Sequence, residues 1–105
     1  MSIRSVKVVV KYVSGTDIVK ESQFECPSMA ETCSYLRSKV IPIKSYLDSH
    51  SNIQLSFSLY WKLNGKEHYC CTYYVQRMKD YKFMLDNMPK KLMFMFGNLT
   101  FKDED

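Results

Sequence analysis

Between Ile53 and Leu63 the chain alternates without a break: Ile53, Leu55, Phe57, Leu59, Trp61 and Leu63 are apolar, with Gln54, Ser56, Ser58, Tyr60 and Lys62 between them. Successive strand side chains point to opposite faces, so this pattern lines a core with six apolar groups and leaves the other face largely polar. Asn64-Gly65 follows and tolerates the positive φ angles of a type I′ turn, so the segment to Tyr73 reads as a β-hairpin. An all-helical fold is excluded. The hairpin itself carries no reacting group.

With 105 residues, 46% of them hydrophobic and 14% aromatic, the chain supports one compact domain and not two. We place that domain at residues 1–97 and a solvated acidic tail at 98–105. The longest apolar runs, Val8-Val9-Val10 and Leu92 to Phe96, fall far short of the roughly 20 residues of a membrane span. Arg4, Lys7 and Lys11 interrupt the first valines, which is unlike a secretory signal. The expectation is an intracellular protein, nuclear or cytoplasmic, without a membrane partner, in which the Asn98-Leu99-Thr100 sequon is accidental.

Cys26, Cys33, Cys70 and Cys71 are expected as free thiols in such a compartment. Zinc spacing is lacking: neither CxxC nor HxxxH occurs, and His50 and His68 are far apart, so no metal or other cofactor is expected. Strand parity puts at most one of Cys70 and Cys71 in the core. The net charge is +4, and without Asp103, Glu104 and Asp105 it is 15 − 8 = +7, an excess that favours anionic partners.

Val6, Val8, Val10 and Tyr12 share one parity, with Lys7 and Lys11 on the other, and form a first strand. Ser14-Gly15-Thr16-Asp17 is turn chemistry, after which Ile18, Lys20, Ser22, Phe24 and Cys26 alternate in a second strand whose apolar face is patchy. Ser28-Met29-Ala30-Glu31 has capping-box spacing and opens a helix lined by Met29, Cys33, Leu36 and Val40. Pro42 is expected to end it near Ile41, with a short turn over residues 43–47. Met78, Tyr81, Leu85 and Met88 give a second helix stopped by Pro89, and Leu92, Phe94 and Phe96 alternate with Met93 and Met95 in a final, central strand.

The resulting order, ββαββαβ, resembles the ubiquitin-like β-grasp, an α+β fold with a mixed sheet packed on one main helix. More closely, Val6-Lys7-Val8-Val9-Val10-Lys11-Tyr12, Leu59-Tyr60-Trp61 and Met78 to Asn87 resemble the Phox-and-Bem-like N-terminal domain of plant Mutator-type transposases. Domains of that family associate front to back, a basic cluster on the first strand meeting an acidic loop and helix. The resemblance therefore implies that Lys7 and Lys11 contact a partner. The acidic half departs from the family, since Arg77, Met78, Lys79 and Asp80 stand where several carboxylates belong. Asp80 alone is a poor match, which favours a basic face presented to another protein's acids over head-to-tail polymerisation.

The leading expectation is thus a non-enzymatic protein-interaction module that binds an acidic partner surface through Lys7 and Lys11, with Asp80 as a lesser contact. Met93 and Met95 are open to lining a symmetric contact between copies or to packing under a loop. The alternative is nucleic-acid binding, with Lys62 on phosphates and Tyr60 and Tyr73 stacking on bases, set against the commoner use of such rings in packing. An enzyme built on Cys70 or Cys71 with His68 or His50 has no evident orienting carboxylate or oxyanion hole.

Overall fold

The computed structural model describes residues 4–103, and their side chains through residue 99. Strands β1 (Arg4–Ser14) and β2 (Asp17–Cys26) form a first hairpin, helices α1 (Met29–Ser38) and α2 (Val40–Ser49) follow, and β3 (Ile53–Leu63) and β4 (Lys66–Val75) form the second hairpin. Helix α3 (Met78–Asp103) ends the described chain. The sheet is wholly antiparallel with order β2-β1-β3-β4. The chain is α+β, as expected, but its element order is ββααββα.

The alternation sets the inner face. Val6, Val8 and Val10 of β1 and the six apolar groups of β3 are buried beneath the helices, and Asn64 (φ 51°) with Gly65 (φ 86°) makes the anticipated turn. The molecule spans 48 × 25 × 17 Å, and its thinnest dimension accommodates one sheet and one helical layer. The second sheet face is consequently open to solvent.

Ser28 caps α1 as its spacing predicts: its Oγ accepts from the Glu31 N–H at 3.1 Å. The helix breaks at Lys39, before Pro42. Pro42 then lies in the first turn of α2, where a missing N–H removes no intrahelical bond, so a second full helix replaces the expected short turn.

Leu92 to Phe96 do not form the fifth strand, and with it go the mixed sheet and the β-grasp order. These residues continue α3, which runs through Pro89. The spacing Tyr81, Met84, Leu85, Met88, Leu92, Leu99 is helical throughout, and every one of these side chains is buried. Phe94, which the strand pattern set beside Leu92, is 74% exposed, whereas Leu92 is 0% exposed. An interior proline costs a helix about 3 kcal/mol. Tertiary contact offsets it: Trp61 Nε1 donates to the Leu92 carbonyl at 2.7 Å, and the Trp61 ring packs on Phe96 at 4.8 Å. Residues 98–103, expected as the start of the tail, are helical; Glu104 and Asp105 lie outside the described residues.

Candidate interaction surfaces

The open face of the sheet carries the lysines of the first strand. Parity directs Lys7 and Lys11 away from the helices, and register sets Lys7 between Glu25 of β2 and Tyr60 of β3, and Lys11 between Glu21 and Ser56. Lys7 Nζ reaches across to Glu67 Oε1 at 2.8 Å and lies 5.8 Å from the Tyr60 ring centre. Lys62 Nζ meets Glu25 Oε1 at 3.2 Å, and Ser5 Oγ donates to Glu25 Oε2 at 2.8 Å. The hydrogen bond from Lys7 to Glu67 raises the lysine's pKa, while those from Ser5 and then Lys62 lower that of Glu25.

Counted together, Lys7, Lys11 and Lys62 face Glu21, Glu25 and Glu67, so the net charge of this surface is 3 − 3 = 0. The expected basic face is a charge-balanced lattice. Its ion pairs are largely exposed and hold register more than they hold stability.

On the other side of the sheet a groove of about 320 Å³ opens between β2 and the α1–α2 pair. It exists because the inner face of β2 is sparse: Ser22 and Lys20 alternate with Phe24 and leave the helices nothing continuous to pack on. Val10, Leu36, Phe57 and Tyr81 line it, and an aromatic pair contributes to each end. Tyr12 meets Tyr46 edge-on at 5.0 Å, and Phe24 meets Tyr35 at 4.3 Å. A lysine stands over each pair: Lys20 Nζ lies 5.1 Å from the Tyr12 ring centre and Lys39 Nζ 5.0 Å from that of Tyr35. β2 is also an edge strand, so half of its backbone N–H and C=O groups face away from the sheet beside this groove.

Asp80 does not join either surface. It is the third residue of α3, and its Oδ2 accepts from the backbone N–H groups of Gln76 (3.0 Å) and Arg77 (3.1 Å). This is the carboxylate half of a capping box, and these bonds, that from Gln76 foremost, hold its pKa down. The nucleic-acid candidates separate as well. Tyr60 and Lys62 belong to the open face, whereas Tyr73 pairs with Phe57 on the helical side, its hydroxyl buried. His50 is stacked on Tyr46 at 4.0 Å, with its Nδ1 3.0 Å from the Tyr46 carbonyl oxygen, away from both strand cysteines in sequence and in element.

No family model, curated protein or solved structure matches the chain. Sequence reasoning missed the groove, although its signal was present in the patchy inner face of β2.

Proposed function

We propose that the chain is a non-enzymatic protein-interaction module that receives an extended segment of a partner protein along the free edge of β2. The carrying observation is the aromatic groove opening beside that edge with Lys20 and Lys39 over its two ends. A strand added to β2 gains main-chain hydrogen bonds, and its alternate side chains project over the groove. The segment that fits has an apolar side chain for the pocket and a carboxylate near it for the lysines. The resemblance to Phox-and-Bem-like domains, which dock proteins, points to the same class of function.

Short peptides selected from a displayed random library test this. The expected binders carry Asp or Glu within three positions of a bulky apolar residue, and they shift the amide signals of β2, α1 and α2. Binders that leave those signals unmoved would sink the proposal.

A second reading keeps Lys7 and Lys11 as the contact to an acidic surface, since both stand on the uncovered sheet face. A partner's carboxylates must then exchange with Glu67 and Glu25 on Lys7 and compete with Glu21 for Lys11. Such exchange gives orientation more than affinity. Lys7→Glu/Lys11→Glu abolishes binding if this reading holds and leaves it intact if the groove is the site. For nucleic acid, with the lysine and tyrosine candidates divided between two faces, titration with single- and double-stranded oligonucleotides at low salt is expected to be flat.

A further inference from the structure

The two faces of β2 carry opposite charge. On the groove side stands Lys20, over the Tyr12 ring, with Lys39 over the ring of Tyr35 at the other end. On the open side stand Glu21 and Glu25, set by register opposite Lys11 and Lys7 of β1. Glu25 is already held by Ser5 and Lys62. Glu21 makes no ion pair among the described residues, and as part of an edge strand it has a neighbouring strand on one flank alone.

We propose that the segment received by β2 is an antiparallel strand with its own charges divided between its faces, carboxylates toward the groove and a basic side chain outward, opposite Glu21. This rests on the docking of an extended segment to β2 and adds the register. From Lys20 to Cys26 the pairing with β1 is regular, the bulge lying beyond Lys20 toward the turn, so this length of edge offers an unbroken ladder. Directly opposite side chains on one face of such a pair are those that interact. A residue opposite Ser22 projects over the groove, which Ser22 lines with a small side chain. The next residue, opposite Glu21, projects outward, and the one after it, opposite Lys20, projects back toward the groove. Three consecutive residues, apolar, basic and acidic, therefore fix the register, since a slip of one place puts every side chain on the wrong face. A second acid, two places before the apolar residue, stands opposite Phe24, beside Tyr35 and Lys39.

The same charges turn away a second copy of the chain. A two-fold antiparallel pair keeps both groove faces on one side of the joined sheet, so side chains of like parity stand opposite each other. Its fullest register over residues 20–26 is centred on Gln23, and it sets Glu21 against Glu25 of the second copy twice over. Centring on Ser22 or Phe24 shortens the pairing and sets a glutamate against Gln23. The open side of residues 20–26 holds no base, so no such register neutralises either glutamate.

Two peptides of one composition test the proposal: acetyl-Thr-Thr-Glu-Thr-Leu-Lys-Glu-Thr-amide, and the same peptide with its Lys-Glu order exchanged. Their net charges are equal, so only the face on which each charge lies differs. The exchange turns two favourable cross-strand pairs into two like-charge ones, and the first peptide is expected to bind about tenfold more tightly. Titration followed through the amide signals of β2 reads affinity and site together. Lys20→Glu/Glu21→Lys, at two exposed positions, is expected to reverse the preference. Equal affinities at β2 in the unaltered chain, or library-selected peptides that occupy β2 without a base beside the acid, overturn the charge pattern and leave the docking itself standing. If neither these nor any selected peptide moves the β2 signals, docking and pattern fall together. Movement of those signals on concentrating the protein alone assigns the edge to a second copy and also overturns the proposal.

Discussion

Replacing Tyr81 with phenylalanine removes a single oxygen from the middle of the molecule. Tyr81 is 0% exposed, and its hydroxyl donates to the Leu36 carbonyl at 2.5 Å, tying α3 to the last turn of α1. That carbonyl keeps a second donor, the Lys39 N–H at 3.1 Å, so the substitution orphans no acceptor. The cost is therefore that of one ordinary hydrogen bond, about 1 kcal/mol, or roughly 4–8 °C in Tm for a domain of this size. The pH dependence makes the test sharper. Burial holds the Tyr81 pKa well above that of a free phenol, so its contribution is full below about pH 10 and is lost as pH rises beyond it, when the unfolded chain ionises first. At pH 10.5 the loss in the unaltered protein is about 0.8 kcal/mol, from RT ln(1 + 10^0.5) with an unfolded pKa of about 10. Phenylalanine has no such term, and the deficit of Tyr81→Phe shrinks from about 1 to about 0.2 kcal/mol. Tyr73, raised to about 12, titrates over the same range in both proteins and cancels. Urea unfolding at pH 7 and 10.5, followed by far-UV circular dichroism, measures both numbers. An equal deficit at the two pH values would refute a buried neutral phenol, and no deficit at pH 7 would refute the bond.

Leu92→Ala is expected to cost about 2–5 kcal/mol and Phe94→Ala less than about 0.5 kcal/mol, because only the first is buried in the helix; equal costs by urea unfolding would restore the strand pattern. Asp80→Ala costs about 1 kcal/mol at pH 7 by uncapping α3. Since its carboxylate pKa is lowered on folding, that stability is present above about pH 4 and is lost as pH falls through the folded value, so the variant and the parent converge in acid. Ser28→Ala, at the start of α1, loses a similar amount in thermal unfolding without acid convergence.

The second hairpin was legible because its information is local: period-two alternation and an Asn-Gly turn need no knowledge of the rest of the chain. The start of α1 was legible for the same reason, through Ser28 and Glu31. Pro89 misled because a local rule met a tertiary override. The proline removes the N–H that would serve the Leu85 carbonyl, yet Leu92 and Leu99 continue the buried stripe beyond it, and Trp61 bonds there from a different element. Partners remote in sequence were illegible altogether. Lys7 and Glu67 are 60 positions apart, and only the register of three strands places them 2.8 Å from each other. The β-bulge of β4 has the same character: Leu59 stands opposite Cys71 and Tyr60 opposite Tyr69, so Cys70 is an added residue and both cysteines pack against the core where strand parity had allowed one, yet nothing in Tyr69-Cys70-Cys71-Thr72 marks it until the partner strand is known.

Where the positive charge sits follows from that pairing, and it bears on how the proposed partner segment would arrive. Removing the three lysines and three glutamates of the open face leaves 12 basic and 8 acidic residues, so the whole net charge of +4 belongs to the rest of the molecule. The groove, with Lys20 and Lys39 over its ends, lies on that other side. On the proposed docking mode, an anionic segment would be steered toward the groove and not toward the first-strand lysines, although those are the more conspicuous in the sequence. Steering of this kind resides in the association rate and fades with salt, because the Debye length falls from about 10 Å at 0.1 M to about 3 Å at 1 M. For a peptide selected against this chain, Lys20→Glu/Lys39→Glu is expected to lower the association rate about tenfold at low salt and much less at 1 M, with a smaller change in dissociation. Lys7→Glu/Lys11→Glu, on the face that sums to zero, leaves the same rate within about twofold. Stopped-flow mixing across a salt series separates the pairs, and a larger effect from Lys7 and Lys11 would move the docking site back to the open sheet.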